Sequence, residues 1–331
     1  MRGIGVDPSG LWTARVVPSR EFSARGATGP GRGRSPKSRG AKKQGRESQD
    51  AGRQIGAIGV ASIVGGTMIY LSCQDKAPYT NRSRFMIVDR DGEFLKRMGA
   101  STWAEVKKQY GPRILPKTHQ ASRTVERIGK RIADASGLEG YNWEFIVVKD
   151  DNMNAFVLPG GKVVVFTGLF EVTPNSDALA SVLGHEVGHV VANHGGEKVS
   201  KGFLKEALLL MLVVATGYDY SDAARSIGSL VFDLPNSREM EREADYIGMQ
   251  LTAKACFDPQ EMPETFARMN ATAKKKRVMK GPAYLSTHPA DEERIAKQRE
   301  WMDSALQTRE RSGCSDLQQW GAAGNQRNQR W

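Results

Sequence analysis

The chain has 331 residues, of which 39% are apolar, so it can bury the core of one globular domain and still carry an extension. Its formal net charge is +11, but residues 1–53 hold 12 basic and 4 acidic side chains, a surplus of 8. The rest of the chain carries only +3, with 36 basic and 33 acidic side chains interleaved. This distribution argues against a nucleic-acid footprint on the folded part.

The three cysteines, Cys73, Cys256 and Cys314, lie far apart and show no CxxC spacing. Such a pattern fits neither a disulfide framework nor a thiolate zinc site. Any metal in this chain is therefore expected to be bound by histidine and carboxylate side chains.

The N-terminal part predicts a leader followed by a membrane anchor. Residues 1–53 are rich in Gly, Arg, Ser and Pro, which predicts a disordered basic leader that also fits an organellar transit region. The uncharged stretch after it predicts one transmembrane helix over residues 54–74, because its core from Ile55 to Cys73 is just long enough to cross a bilayer. A buried or interfacial helix is the alternative. The positive-inside rule places the leader on the matrix or cytosolic side.

The folded part, residues 78–307, is predicted to be α+β, mostly helical with a small β-sheet. Thr102 and Glu105 have capping-box spacing, which predicts a helix start just before residue 106. The segment WEFIVV, residues 143–148, predicts a strand, and NAFVLPGGKVVVF, residues 154–166, predicts a hairpin. Before this strand, a helix is expected over residues 122–136, with Val125, Ile128 and Ile132 on one face and Gly137 as its end.

Helices are expected from there on. Ser176 is the predicted N-cap of a helix that runs to the glycine pair at 195–196. Ser237 is the predicted N-cap of the next helix. A charged surface helix is expected over residues 290–306, before a disordered tail over residues 308–331. The apolar run at positions 207 to 216 is too short to span a bilayer, so it predicts a core helix, with shallow membrane contact as the alternative.

His185, Glu186 and His189 form an HExxH motif inside the helix that starts at Ser176. Residues four apart lie on nearly the same side of a helix, so both imidazoles can reach one ion while Glu186 projects beside them. Unpaired His and Glu would be costly to bury on this otherwise apolar helix, so the motif predicts a zincin-type metal site with Glu186 as general base. His194 lies about 140° around the helix from His189 and is expected to make a structural hydrogen bond.

A catalytic zinc ion needs a third protein ligand. On the helix after residue 237, Glu241 and Asp245 share a face, so one can bind the metal while the other holds a ligating histidine. Glu239 and Glu243 are expected to point away into solvent. Surface salt bridges of all three glutamates, Glu241 included, are the alternative.

The chain resembles the zinc metallopeptidase family that includes the CAAX prenyl protease and the bacterial HtpX-type membrane peptidases. The resemblance runs from about Pro78 to Ala305 and rests on NAFVLPGG, TGL, HEVGHVVANH, SREMEREAD and THP in that order. Within the family, the single anchor and the stretch MEREADYIGMQLTAKAC are most similar to a mitochondrial inner-membrane branch of stress peptidases, whose activity overlaps that of the m-AAA protease.

The resemblance implies a gluzincin-type domain behind one transmembrane helix, with one Zn²⁺ per chain. It implies that Asp245 supports a ligand and that His288 of the THP motif donates a hydrogen bond to the oxyanion. A turn residue before Pro289 is the alternative for His288. The zinc ligands implied are His185, His189 and Glu241.

These features predict a membrane-anchored zinc metalloendopeptidase that hydrolyses membrane-associated proteins in mitochondrial quality control. The catalytic domain is expected on the intermembrane-space side of the inner membrane. Asn154, Ala155 and Phe156 are expected to offer backbone groups to an extended substrate. The expected partners are protein substrates and the lipid bilayer, with a homo-oligomer left open. A non-catalytic zinc-stabilised membrane adaptor is the alternative, although the Glu186 carboxylate would be useless to a structural site.

Overall fold

The computed structural model describes residues 64–88, 92–216, 237–276, 283–289 and 291–314. The predicted leader lies outside the described residues, as does most of the predicted tail. The part of the chain that is described is mostly helical with two small sheets, in agreement with the α+β expectation.

Two short strands and the first helices open the described region. The helix over 64–72, α1, leads into strands β1 and β2, which pair antiparallel. The elements of the first half are β1 (Gln74–Lys76), β2 (Ser83–Phe85), α2 (Glu93–Tyr110), α3 (Gln120–Ser136), β3 (Glu144–Val148), β4 (Ala155–Leu158) and β5 (Lys162–Phe166).

Helices make up the second half, apart from a short 3₁₀ helix at Thr167–Glu171. They are α4 (Ser176–Val191), α5 (His194–Thr216), α6 (Arg238–Lys254), α7 (Glu261–Lys276), α8 (Ala283–Thr287), α9 (Glu292–Glu300) and α10 (Met302–Arg311).

The larger sheet confirms the predicted strand and hairpin. Its order is β3-β5-β4, with β3 parallel to β5 and β4 antiparallel to β5. Gly160 and Gly161 have φ values of 82° and 85°, which glycine adopts without the steric cost of a Cβ, so they form the turn between β4 and β5. Strand β5 is buried along its whole length, whereas β4 lies at one edge of the sheet.

Helix α3 packs on β3 and α4 and supplies much of the core. Val125, Ile128 and Ile132 recur at helical spacing and are at most 1% exposed, as predicted. The helix ends where Gly137 adopts the left-handed conformation with φ 68°.

Three local expectations were wrong. Helix α2 begins nine residues before Thr102, whose hydroxyl donates to the Met98 carbonyl inside the helix instead of capping its start. The break after α4 comes at Asn193, which has φ 49° and accepts a hydrogen bond from the Gly196 amide, so the glycine pair lies in the first turn of α5. Ser176 is the first residue of α4, and the capping side chain is Asn175.

The C-terminal part corrects three further expectations. The predicted surface helix is two helices, α9 and α10, and Arg294, Ile295 and Gln298 on α9 are buried. Helix α10 runs to Arg311, so helical structure extends into the predicted tail. The expectation that the cysteines form no disulfide was wrong for two of them. Cys256 and Cys314 are bonded across 58 residues of sequence, because α10 returns along α6 and brings the two ends together.

The predicted membrane span lies only partly within the described residues. Its described part is α1 and the residues next to it. None of the helices in the described ranges has the length and hydropathy needed to cross a membrane. The apolar run at 207–216 forms the second half of α5.

Candidate active site

Helices α4 and α6 pack with their backbones unusually close, and this contact positions the candidate site. A Cβ added to Gly248 would lie 2.6 Å from the backbone nitrogen of His185, and one added to Gly188 would lie 2.7 Å from the carbonyl oxygen of Ala244. Only glycine leaves room for this approach. It brings the acidic face of α6 against the histidines of α4.

The imidazoles and the carboxylate that the sequence singled out converge. His185 Nε2 lies 3.1 Å from His189 Nε2 and 3.4 Å from Glu241 Oε2. His189 Nε2 lies 3.3 Å from Glu241 Oε1. His185 and Glu241 are almost completely buried, and the His189 side chain is 12% exposed.

This spacing fits a tetrahedral metal ion. Bonds of about 2.0 to 2.1 Å from a tetrahedral ion to nitrogen and oxygen ligands place those ligand atoms about 3.3 to 3.4 Å apart. The two histidine nitrogens lie 3.1 Å apart, and His185 Nε2 and His189 Nε2 lie 3.4 and 3.3 Å from Oε2 and Oε1 of Glu241, all close to this edge length. The site therefore has the size and the donor set for one such ion.

Asp245 and Arg294 support the first histidine. Asp245 Oδ1 lies 2.8 Å from His185 Nδ1, which leaves the Nε2 lone pair of His185 facing the cluster. The buried guanidinium of Arg294 donates hydrogen bonds to both oxygens of Asp245 at 2.7 Å, and it also lies 3.0 Å from Glu241 Oε2. Against the effect of burial, Arg294 and His185 keep the pKa of Asp245 below its usual range.

The electrostatics of the cluster favour a bound cation. Burial opposes a charge on His185, but its hydrogen bonds to Asp245 and Glu241 outweigh that effect and raise its pKa to about 9. Burial acts to raise the pKa of Glu241, yet the positive potential of His189 and His288 holds it well below its usual range. The carboxylates of Asp245 and Glu241 thus face the histidines as anions, and a metal cation would compensate their negative charge.

His194 makes the structural hydrogen bond predicted for it. Its Nδ1 lies 2.7 Å from His189 Nδ1, and its Nε2 lies 3.0 Å from Glu243 Oε2. Glu243 is 4% exposed, so the expectation that it points into solvent was wrong, because the β1–β2 hairpin covers that face of α6. Glu239 is exposed, as predicted.

His288 closes the cluster from the segment after α8. Its Nδ1 lies 3.0 Å from Glu241 Oε1 and 3.3 Å from His185 Nε2, and its ring stacks on Tyr284 with a centroid distance of 4.8 Å. Its Nε2 lies 3.7 Å from Glu186 Oε1. These distances place His288 among the residues that could bind a metal ion. Its role as an oxyanion donor therefore stays a prediction.

A cleft of about 580 Å³ opens over the cluster. Glu186, His189 and His288 line one part of its wall, and edge strand β4 with the residue before it lines another. Asn154, Ala155 and Phe156 are among the lining residues. An extended chain that pairs with the edge of β4 would therefore pass beside the histidines.

Sequence reasoning missed two arginines of the site. Arg294 lies in a run of charged residues, EERIAKQRE, in which its burial has no local signal. Arg82 lies between the short strands β1 and β2 and contacts Glu243 across 161 residues of sequence. The sequence does not reveal either arginine, because only tertiary contacts distinguish them from arginines exposed on the surface.

An HExxH helix, a carboxylate from a second helix and an edge strand beside them define a metal-dependent peptidase. The chain belongs to peptidase family M48, whose family model matches residues 119–302. It is thus a metallopeptidase.

The chain is similar to several proteins named as mitochondrial metalloendopeptidases. It is 40% identical over 255 residues to mitochondrial metalloendopeptidase OMA1 of Schizosaccharomyces pombe, a match that covers 77% of this chain and 74% of the relative. It is 37% identical over 277 residues to the protein of the same name from Saccharomyces cerevisiae, with 78% of each chain covered. The identity is 27% over 264 residues with metalloendopeptidase OMA1, mitochondrial, of Homo sapiens, covering 76% of this chain and 50% of the relative.

Proposed function

We propose that this chain is a zinc metalloendopeptidase anchored in the mitochondrial inner membrane, where it cleaves membrane-associated proteins. The observation that carries the proposal is the convergence of His185 Nε2, His189 Nε2 and the Glu241 carboxylate at distances close to the edge length of a tetrahedral ion. Edge strand β4 borders the cleft beside them. Two imidazoles and one carboxylate form a ligand set that zinc uses in catalytic sites, where a fourth position stays open.

The residues of the chain have separable tasks in this proposal. A zinc ion held by His185, His189 and Glu241 would supply Lewis-acid chemistry, polarising the peptide carbonyl and making water more acidic. Glu186, whose carboxylate lines the cleft, takes a proton from the attacking water and delivers it to the leaving amine. His288 donates a hydrogen bond to the developing oxyanion. Asp245 holds His185 with its Nε2 lone pair directed at the metal.

Substrate binding is assigned to the edge of β4. Its backbone groups pair with an extended peptide, so affinity depends on main-chain hydrogen bonds more than on particular side chains. Asn154, Ala155 and Phe156 stand at the start of this edge, beside the catalytic residues in the same cleft. Broad specificity and a requirement for an unfolded or extended segment follow from this mode of binding.

The mitochondrial location rests on the leader and on the relatives. An Arg- and Ser-rich leader fits import, and the relatives named above are mitochondrial by name. The proposed span from Ile55 to Cys73 leaves the catalytic domain in the intermembrane space. Alkaline carbonate extraction and protease protection in mitoplasts test both points. Release into the soluble fraction would refute the span, and protection of the domain in mitoplasts would refute its orientation.

The competing reading is a non-catalytic zinc-stabilised adaptor. Membership of peptidase family M48 supports a protease instead, as does the placement of the Glu186 carboxylate in the cleft, where a structural zinc site has no use for it. The test is metal analysis of the purified full-length chain, combined with cleavage of an unfolded protein with and without chelator. About one zinc ion per chain and chelator-sensitive cleavage are expected. Stoichiometric zinc without any cleavage would favour the adaptor.

A further inference from the structure

His189 is supported by a relay of its own, separate from the Asp245 contact that supports His185. His189 Nδ1 faces His194 Nδ1 at 2.7 Å, and His194 Nε2 faces Glu243 Oε2 at 3.0 Å. His194 is 2% exposed and Glu243 is 4% exposed, so water does not compete for these contacts.

The relay has one consistent direction of hydrogen bonding. When His189 presents the lone pair of Nε2 to a metal, its proton must lie on Nδ1, which then donates to His194 Nδ1. His194 must therefore carry its own proton on Nε2, and that proton is donated to Glu243. The ring orientation and tautomer of His189 thus depend on a carboxylate at the far end of the relay.

Arg82 fixes that carboxylate. Its Nη2 and Nε lie 2.6 and 3.0 Å from Glu243 Oε2, and its Nη2 and Nη1 lie 2.6 and 3.0 Å from the two oxygens of Glu197. Thr80, from the same turn, also donates to Glu243. His194, Glu197 and Glu243 are close enough to hold a metal ion themselves, but the guanidinium already bridges the two carboxylates.

We propose that Arg82 is a positioning residue for His189, acting through Glu243 and His194 to hold the imidazole in the orientation and tautomer that bind the metal. The proposal rests on the proposed function. Arg82 lies on the β1–β2 hairpin, whose first strand begins at Gln74, the residue after the Ile55 to Cys73 core of the proposed membrane span. The contact of Arg82 with Glu243, and not the hairpin as a whole, is therefore the condition for a fully formed metal site.

Arg84 provides a matched control. It lies two residues away on β2, is 7% exposed, and binds Asp75 at 2.9 Å and the Ala192 carbonyl. It therefore anchors the same hairpin to the same region without touching Glu243 or His194. Loss of either arginine loosens the hairpin, but only loss of Arg82 disturbs the relay.

The experiment uses the full chain in detergent with Arg82→Gln and Arg84→Gln. Zinc affinity is measured by chelator competition, the ligand field by the visible spectrum of the Co²⁺-loaded protein, and stability by thermal unfolding of the metal-free protein. For Arg82→Gln we expect zinc affinity to fall by about 10- to 100-fold, the cobalt spectrum to shift, and kcat to fall with KM unchanged. Arg84→Gln should unfold earlier while keeping wild-type zinc affinity and spectrum.

Two further variants keep the test decisive if Arg82→Gln folds poorly. Arg82→Lys retains the charge but not the fork that reaches both carboxylates, so we expect partial rescue of zinc affinity. On a His194→Gln background, where the relay is already cut, changing Arg82 should lower zinc affinity no further.

A wild-type cobalt spectrum and zinc affinity in Arg82→Gln, or full additivity with His194→Gln, would refute the role of Arg82. Either result leaves the proposed function intact when the wild-type chain binds zinc and cleaves protein. Failure of the wild-type chain itself to bind zinc or to cleave would count against the proposed function instead.

Discussion

Replacement of Gly248 by alanine tests whether close contact between α4 and α6 creates the metal site. The new Cβ would lie 2.6 Å from His185 N and 2.7 Å from Gly184 C, both backbone atoms that cannot rotate away. Ordinary van der Waals contact begins near 3.4 Å, so the helices must separate by about 0.8 Å.

That separation is large compared with the change in ligand spacing that a bound metal ion allows. Added to the 3.3 and 3.4 Å between the histidine nitrogens and the Glu241 oxygens, it makes these distances about 4.1 to 4.2 Å. This spacing exceeds the edge of about 3.3 to 3.4 Å that a tetrahedral zinc ion requires. We expect Gly248→Ala to lose about 1 to 3 kcal/mol of stability, to bind zinc at least about 10-fold more weakly, and to turn over about 10²-fold more slowly.

The assays are zinc affinity by chelator competition, thermal unfolding of the metal-free chain, and hydrolysis of an unfolded protein. Gly129→Ala is the control, because its Cβ would meet the Phe145 ring at 2.1 Å, at the contact between α3 and β3. It should lower stability while leaving zinc affinity unchanged. Wild-type zinc affinity in Gly248→Ala, or an equal loss in Gly129→Ala, would show that the helix contact does not set the ligand spacing.

The remaining predictions separate the tasks of three side chains. Glu186→Gln removes the base but keeps the shape of the side chain. Zinc content and thermal stability should therefore stay at wild-type levels while turnover falls by about 10² to 10⁴. Turnover at the wild-type rate would contradict a peptidase mechanism at this site. Glu241→Ala removes a buried anionic ligand, so this variant should lose zinc at moderate chelator concentrations. Glu239→Ala changes an exposed residue and should keep its zinc. The reverse pattern would contradict the assignment of Glu241 as the third ligand. His288→Ala should lower turnover by about 10² to 10³ with zinc retained, and loss of the metal in metal analysis would make His288 a ligand instead of an oxyanion donor.

Local features of the fold followed from local sequence. The spacing of Val125, Ile128 and Ile132 predicted the buried face of α3, and the glycine after the helix predicted its end. The two β-branched and aromatic runs about Pro159 predicted the hairpin of β4 and β5. In these cases the hydrogen bonds and the side-chain periodicity that define the element lie within one short stretch of chain, so the sequence carries the whole signal.

Part of the candidate site was also local. The four-residue spacing within HEVGH and between Glu241 and Asp245 places each pair on one helix face, whatever the rest of the chain does. The same spacing on isolated helices is compatible with surface salt bridges, however. The convergence of the two faces needed the glycine contact between α4 and α6, which no short stretch of sequence reveals.

The sequence by itself determined that most of these helices exist, though not all of their ends, together with the hairpin and the residue types that can bind a metal. Only the tertiary structure decided that Glu243 is buried beneath the β1–β2 hairpin and that Arg294 binds Asp245. It also decided that Cys256 and Cys314, 58 residues apart, form a disulfide. Each of these contacts joins residues about 50 to 160 positions apart in the chain. The burial of a charged side chain is set by what packs over it, and helical spacing shows only which way the side chain points.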